Sequence, residues 1–350
     1  MKFILFLVFS LFFNPIFAQK QKYWQQKVHY QIQAQLDDQK DALFGNYQLK
    51  YYNQSPYVLQ EIYFHLNENA FQPKSYYHQL LLGNKTPVIF GKNEKDGLGM
   101  IVKNVLVNGE AAATELDNTI LKIELNEALS AGDSVTINLQ FETYFGEGGS
   151  LRRRMKMFKN HGFKHYNGTH WYPVACVYDR NGWDLSQHLD KEFYANFGTF
   201  EVEITAPNDY ILGGTGILKN ESEVLPDTLK RKLDLNNFAK KAYNSPPSIP
   251  IIREEGKTKT WKFKAEKVHN FAFVAAPTYR IKRVKSKLGI IVEALIQESN
   301  APKNQETAEL TAYIIDFYSE KFGKYEYPKF TVADAQDGTE YGMMAIITGI

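Results

Sequence analysis

The side chains that could do chemistry in this chain are few. Eight histidines are present, His29, His65, His78, His161, His165, His170, His188 and His269, and none is followed by glutamate. The chain therefore lacks the helical pair of histidines, one turn apart and flanking a glutamate base, that grips and activates a catalytic metal. His161 and His165 have the spacing of one helical turn and His170 follows. Gly162, Asn167 and Gly168 nevertheless predict a loop, and no nearby glutamate completes a ligand set. Cys176 is the single cysteine, so it forms no intramolecular disulfide, and the apolar-aromatic stretch 171–178 around it predicts a buried, inert thiol. The run Arg152, Arg153, Arg154, Lys156 and Lys159, interleaved with Met155, Met157 and Phe158, reads as a strand with one wet basic face. Asp337-Gly338-Thr339-Glu340-Tyr341-Gly342 precedes the apolar run 343–347, and taken alone it reads as a turn entering a strand.

The elements that must position these groups are mostly strands. Val28, Tyr30, Ile32, Ala34 and Leu36 alternate with polar residues, and so do Tyr47, Leu49 and Tyr51, then Ile62, Phe64 and Leu66. The pattern returns at Val135, Ile137, Leu139 and Phe141, at Phe200, Val202 and Ile204, and in the segments 211–218, 261–265, 271–275 and 288–296. Short strands punctuated by turns predict a mainly β chain whose antiparallel sheets pack face to face. Residues 222–252, with four prolines, read as a long polar excursion that leaves Lys240 and Lys241 in solvent. A helix is predicted over 303–323, with Leu310, Ile314, Phe317 and Phe322 on one stripe and Gly323 as its stop. A strand over 330–333 follows, and the change of pattern near 285–300 marks a domain boundary.

The 350 residues carry 41 basic and 39 acidic side chains, with 44% hydrophobic residues, which excludes a disordered chain and argues against a dedicated nucleic-acid binder. Lys2, the apolar run 3–13 and the small residue Ala18 form the charged, hydrophobic and cleavable pattern of an export signal, too short to span a bilayer. The expectation is an exported protein, periplasmic or extracellular, with no membrane span in its mature chain.

Three stretches together resemble the M1 family of zinc aminopeptidases, in the form seen in exported bacterial members. The first is Trp24-Gln25-Gln26 with Val28-His29-Tyr30, Asn53-Gln54-Ser55-Pro56 and Ile62-Tyr63-Phe64-His65-Leu66-Asn67. The second is His170-Trp171-Tyr172-Pro173, Tyr178-Asp179, Gly182-Trp183, Glu192-Phe193-Tyr194-Ala195-Asn196-Phe197-Gly198 and Thr215-Gly216. The third, Gly338-Thr339-Glu340-Tyr341, is similar to the family's exopeptidase signature, although Thr339 stands where methionine is usual and Gly342 where the tyrosine-bearing version has proline.

The resemblance implies a saddle-like amino-terminal β domain over 19–284, after a signal peptide over 1–18, and the start of a thermolysin-like α+β catalytic domain over 285–350. It implies that Glu340 holds the α-amino group of a peptide, with Gly338, Thr339 and Tyr341 aligning the substrate as an added strand. A carboxylate reads a cationic amine by charge-assisted hydrogen bonds. Zinc is implied for the intact enzyme, with its His-Glu-x-x-His helix beyond Ile350 and no ligands in this chain. A second reading stands beside it: a non-catalytic β-sandwich protein that binds or docks a partner. Metal analysis of the purified chain is expected to find well below one zinc per molecule, and one tightly held zinc per chain contradicts this reading.

Overall fold

The computed structural model describes residues 23–151, 153–189 and 194–347. The export signal read at 1–18 lies outside the described residues, as do Arg152, Glu192 and Phe193. Eight strands form the largest sheet, in the order Ile217–Leu218, Thr258–Val268, Gly198–Pro207, Lys27–Asp37, Ala42–Tyr52, Ser134–Tyr144, Met100–Val107 and Glu110–Ala111. The predicted alternation is realised: Val28, Tyr30, Ile32, Ala34 and Leu36 are buried, whereas Gln31, Gln33 and Gln35 face solvent. One joint departs from the antiparallel expectation, because Lys27–Asp37 runs parallel to Gly198–Pro207.

Two four-stranded sheets pack against its apolar face. One orders Ile211–Gly214, Phe273–Ala276, Phe163–Gly168 and Lys156–Asn160, and the other Val174–Ala175, Leu59–His65, Ile120–Leu129 and Thr114–Asp117. The core between them is aromatic: Tyr30 stacks on Phe200 at 4.5 Å, and buried Trp171 meets Phe273 edge-on at 5.5 Å while its Nε1 donates to the Phe271 carbonyl at 3.0 Å. Donating that N–H satisfies the one polar group of a large buried ring. Cys176 is buried beside this core, as expected, and burial pushes its thiol well above the ordinary value.

A five-stranded sheet follows, in the order Tyr279–Lys285, Ile291–Gln297, Lys329–Asp334, Met344–Ile347 and Thr339–Tyr341. Its first strand starts six residues ahead of the boundary read at 285. Ile291–Gln297, Lys329–Asp334 and Met344–Ile347 run parallel, and the helix Thr307–Phe322 makes the crossover between the first two. One face of this sheet, through Leu295, Ala333, Met344 and Ile346, joins the main core. The other face packs Val292, Ala294, Ile296 and Val332 against Ala308, Ala312 and Ile315 of the helix. Glu293 ties three strands together: it contacts Arg283 on one side and Lys329 Nζ at 2.7 Å on the other. Burial alone would raise this carboxyl, but the two cations prevail and hold it at about 2.

Several sequence readings are corrected. The helix starts at Thr307, because a separate 3₁₀ turn, Glu298–Lys303, contains Pro302. Its stripe of Leu310, Ile314, Phe317 and Phe322 does not face the sheet; all four are exposed, and the small residues Ala308 and Ala312 make the close contact instead. The excursion 222–252 carries two short helices, Glu221–Val224 and Asp227–Leu233, with Pro226 capping the second and Asp227 in its first turn. Lys241 is not in solvent but pairs with the fully buried Glu298, which also binds Arg280. Residues 156–168, read as a basic strand and a loop, form a hairpin, turned by His161 and Gly162 at φ 48° and 82°. Positive φ at both turn positions is the two-residue geometry that matches strand twist.

Arg153, read as part of a wet basic face, is instead buried between two carboxylates. It contacts Glu68 and donates from Nη1 to Glu94 Oε1 at 2.7 Å, joining the 3₁₀ turn Asn67–Phe71 to the short helix Lys92–Lys95. Burial raises the Glu68 carboxyl to about 7 despite Arg153 beside it. Replacing Arg153 with methionine leaves two buried acids without a cation, and urea unfolding should show a loss of about 3–5 kcal/mol. A pKa raised in the folded state makes Glu68 favour folding at low pH. Its contribution is full below about 4.5 and disappears as pH rises through about 7. The Glu68→Gln variant should lose that part of the stability profile, and an unchanged profile contradicts the assignment.

Candidate functional site

Glu340 sits at the centre of Thr339–Tyr341, the outermost strand of the five-stranded sheet, paired among the described residues with Met344–Ile347 alone. Period two places its neighbours on the opposite face: Thr339 and Tyr341 are buried, and Glu340 is exposed. The strand therefore presents one exposed carboxylate and, among the described residues, one backbone edge with no neighbouring strand. A backbone edge of this kind accepts an extended peptide as an added strand.

The buried side of the strand explains how it is held. The Tyr341 ring lies 6.4 Å from His170 in an edge-on arrangement, and His170 lies 5.8 Å from His188. Burial pushes the Tyr341 phenol well above its usual range, against the effect of Thr339 and Thr169. His170 is buried at φ 54°, and burial, with His188, Arg154 and His65 around it, pushes its imidazole down to about 3. It is thus neutral at physiological pH and packs as an uncharged ring.

The saddle also grips the turn that leads into the strand. Arg154 Nη1 donates to the Gly338 carbonyl at 3.4 Å, and Lys156 Nζ stands 3.6 Å from Asp337 Oδ2. The basic run that the sequence offers as a wet strand face therefore reaches across to the candidate strand. Gly342 has its own reason: a Cβ there would sit 3.0 Å from Val268 Cγ1 on the largest sheet. Beside it Met343 takes φ 65°, a left-handed conformation that costs a non-glycine residue about 1–2 kcal/mol. The turn is bent tightly because the sheet lies directly against the saddle.

The four residues singled out from the sequence, Gly338, Thr339, Glu340 and Tyr341, form one continuous segment, with Glu340 alone among the strand's three residues exposed. His161, His165 and His170 are not brought together as ligands. His161 faces Asn244, His165 faces Gln297, and His170 packs under Tyr341. Among the described residues no group of three or more His, Cys, Asp or Glu could hold a metal ion. The described residues therefore do not make a zinc site. The sequence shows the basic run and the His170-Trp171-Tyr172-Pro173 stretch but not that Arg154, Lys156 and His170 support the strand.

No protein-family model matches the sequence, and no curated protein matches it significantly. Solved structures do match. The M1 zinc metallopeptidase from Deinococcus radiodurans is similar at TM-score 0.55 and 14% identity, covering 93% of this chain and 60% of that one. A glutamate-to-alanine mutant from the same organism, bound to a Tyr-Ser-Ala substrate, gives TM-score 0.56 and 13% identity over 93% and 61%. A two-domain M1 zinc metallopeptidase mutant bound to L-tryptophan gives 0.55 and 14% over 93% and 61%. The chain thus shares the M1 metallopeptidase fold and spans about three fifths of the length of these structures. Within that fold, Gly342→Val should force the turn away from Val268 and cost about 1–3 kcal/mol in urea unfolding. Wild-type stability in this variant would mean that the turn does not rest on the saddle.

Proposed function

We propose that this chain is the amino-terminal portion of an exported, zinc-dependent aminopeptidase, and that Glu340 recognises the free amino group of its peptide substrates. The observation that carries the reading is an exposed carboxylate at the centre of an unpaired sheet edge, in a chain with the M1 fold. An aminopeptidase must fix a cationic amine at a set distance from the bond it cleaves. A carboxylate on a rigid strand supplies charge and position together. Backbone groups of Gly338, Thr339 and Tyr341 hold the peptide in extended form, and the pattern of residues 1–18 supports export. No helix among the described residues is long and apolar enough to cross a membrane.

Zinc would supply the activated water in the intact enzyme, from ligands outside this chain. The residues present do a different part of the work. Glu340 accepts hydrogen bonds from the ammonium, the strand edge sets the direction of the peptide, and Arg154 and Lys156 keep the preceding turn in place. On this reading the 350-residue chain alone is inactive.

In the enzyme read from the coding frame past Ile350, Glu340→Ala should lower turnover of an aminoacyl amide about tenfold to a hundredfold, the worth of a hydrogen bond to a charged group. Zinc content should stay unchanged. Equal loss of zinc and turnover would make Glu340 a structural residue, and a stop codon at the end of this chain would sink the aminopeptidase reading.

A further inference from the structure

The helix Thr307–Phe322 carries small apolar residues on the side that meets the sheet, a charged flank of Glu309, Asp316 and Glu320, and larger apolar side chains beyond it. Ala308, Ala312 and Ile315 pack on the sheet. At about 100° per residue Leu310, Tyr313, Ile314 and Phe317 lie some 120–180° from Ala308, so these larger side chains point away from the sheet. Leu310, Tyr313, Ile314, Phe317, Tyr318 and Phe322 are exposed by between 41% (Ile314) and 80% (Phe322). A contiguous exposed apolar patch of this kind marks a contact surface.

The same side of the sheet is incompletely roofed. Parallel strands are normally buried on both faces. Here the helix and the 3₁₀ turn Leu235–Phe238 cover the sheet, while Phe330, Ala345 and Ile347 remain only half-buried. The saddle covers the opposite face, so the missing cover belongs on the helix side. About two fifths of the chain of each matched M1 structure lies outside the part that this chain covers.

We infer that the outer face of this helix is a docking surface for further polypeptide of the same protein, the part that this chain does not span. This rests on the aminopeptidase reading, which requires such a part. The occupant is intramolecular, and it brings apolar side chains onto Tyr313, Ile314 and Phe317.

The lone cysteine makes the test clean, because Cys176 is fully buried and burial raises its thiol. Tyr313→Cys and, separately, Phe317→Cys are introduced into the 350-residue chain and into the protein encoded by the continuing frame, and both are labelled with a maleimide dye. Labelling at the new thiol should be rapid in the 350-residue chain and at least about tenfold slower in the longer protein, since burial removes the thiol from reagent. Two results overturn the inference while leaving the aminopeptidase reading intact: equal labelling in a longer protein that hydrolyses aminoacyl amides, or protection in the 350-residue chain that grows with concentration, which would assign the face to a second copy. Absence of any continuing frame removes both readings at once.

Discussion

The contact on which the rest of this structure depends is the seam where the five-stranded sheet lies against the saddle, with glycine backbone on one side meeting the Leu295 and Val268 side chains on the other. At Gly213 a Cβ would sit 2.8 Å from Leu295 Cδ1, and at Gly342 a Cβ would sit 3.0 Å from Val268 Cγ1. Between these points Thr331 Oγ1 donates to the Gly214 carbonyl at 3.3 Å. Glycine on the saddle at one point and on the sheet at another lets the two surfaces close to van der Waals contact. Cores packed this tightly do not deform continuously. The position of Glu340 relative to the saddle is therefore fixed by the close packing of Gly213 and Gly342 on Leu295 and Val268, and by the buried Tyr341 ring beside His170.

Polar interactions sharpen that arrangement without being its main source of stability. Arg153 between Glu68 and Glu94, and Arg280 with Lys241 around Glu298, are buried ion clusters whose desolvation offsets most of their attraction. What they specify is which segments meet: the turn at 67–71 with the segment leading to Arg154, and the excursion after residue 222 with the second sheet. Arg153 anchors the backbone from which Arg154 reaches Gly338, so the buried triad and the candidate strand are linked through one covalent step.

Strands with strict alternation, such as Lys27–Asp37 and Ser134–Tyr144, were legible because one face meets the core and the other meets water. Met100–Val107 was not, since its middle residues are part-buried or exposed on both faces and leave no period of two. The stripe on Thr307–Phe322 was legible as a stripe but its direction was not. Periodicity reports that a face is apolar and is silent on what covers it. At the candidate site, Glu340 and its neighbours were visible through resemblance, whereas the supports from Arg154, Lys156 and His170 come from sequence-distant segments. Only the folded register brings them to the strand.

The central claim is that this sheet edge reads a free peptide amine through Glu340. Its most direct test compares kcat/KM for an aminoacyl substrate and its N-acetylated counterpart in the enzyme carrying the continuing chain. The account predicts that acetylation costs wild type at least about tenfold to a hundredfold, the range for a lost charge-assisted hydrogen bond, and that Glu340→Ala narrows the gap. Equal cleavage of the free and acetylated substrates by the wild-type enzyme would contradict it.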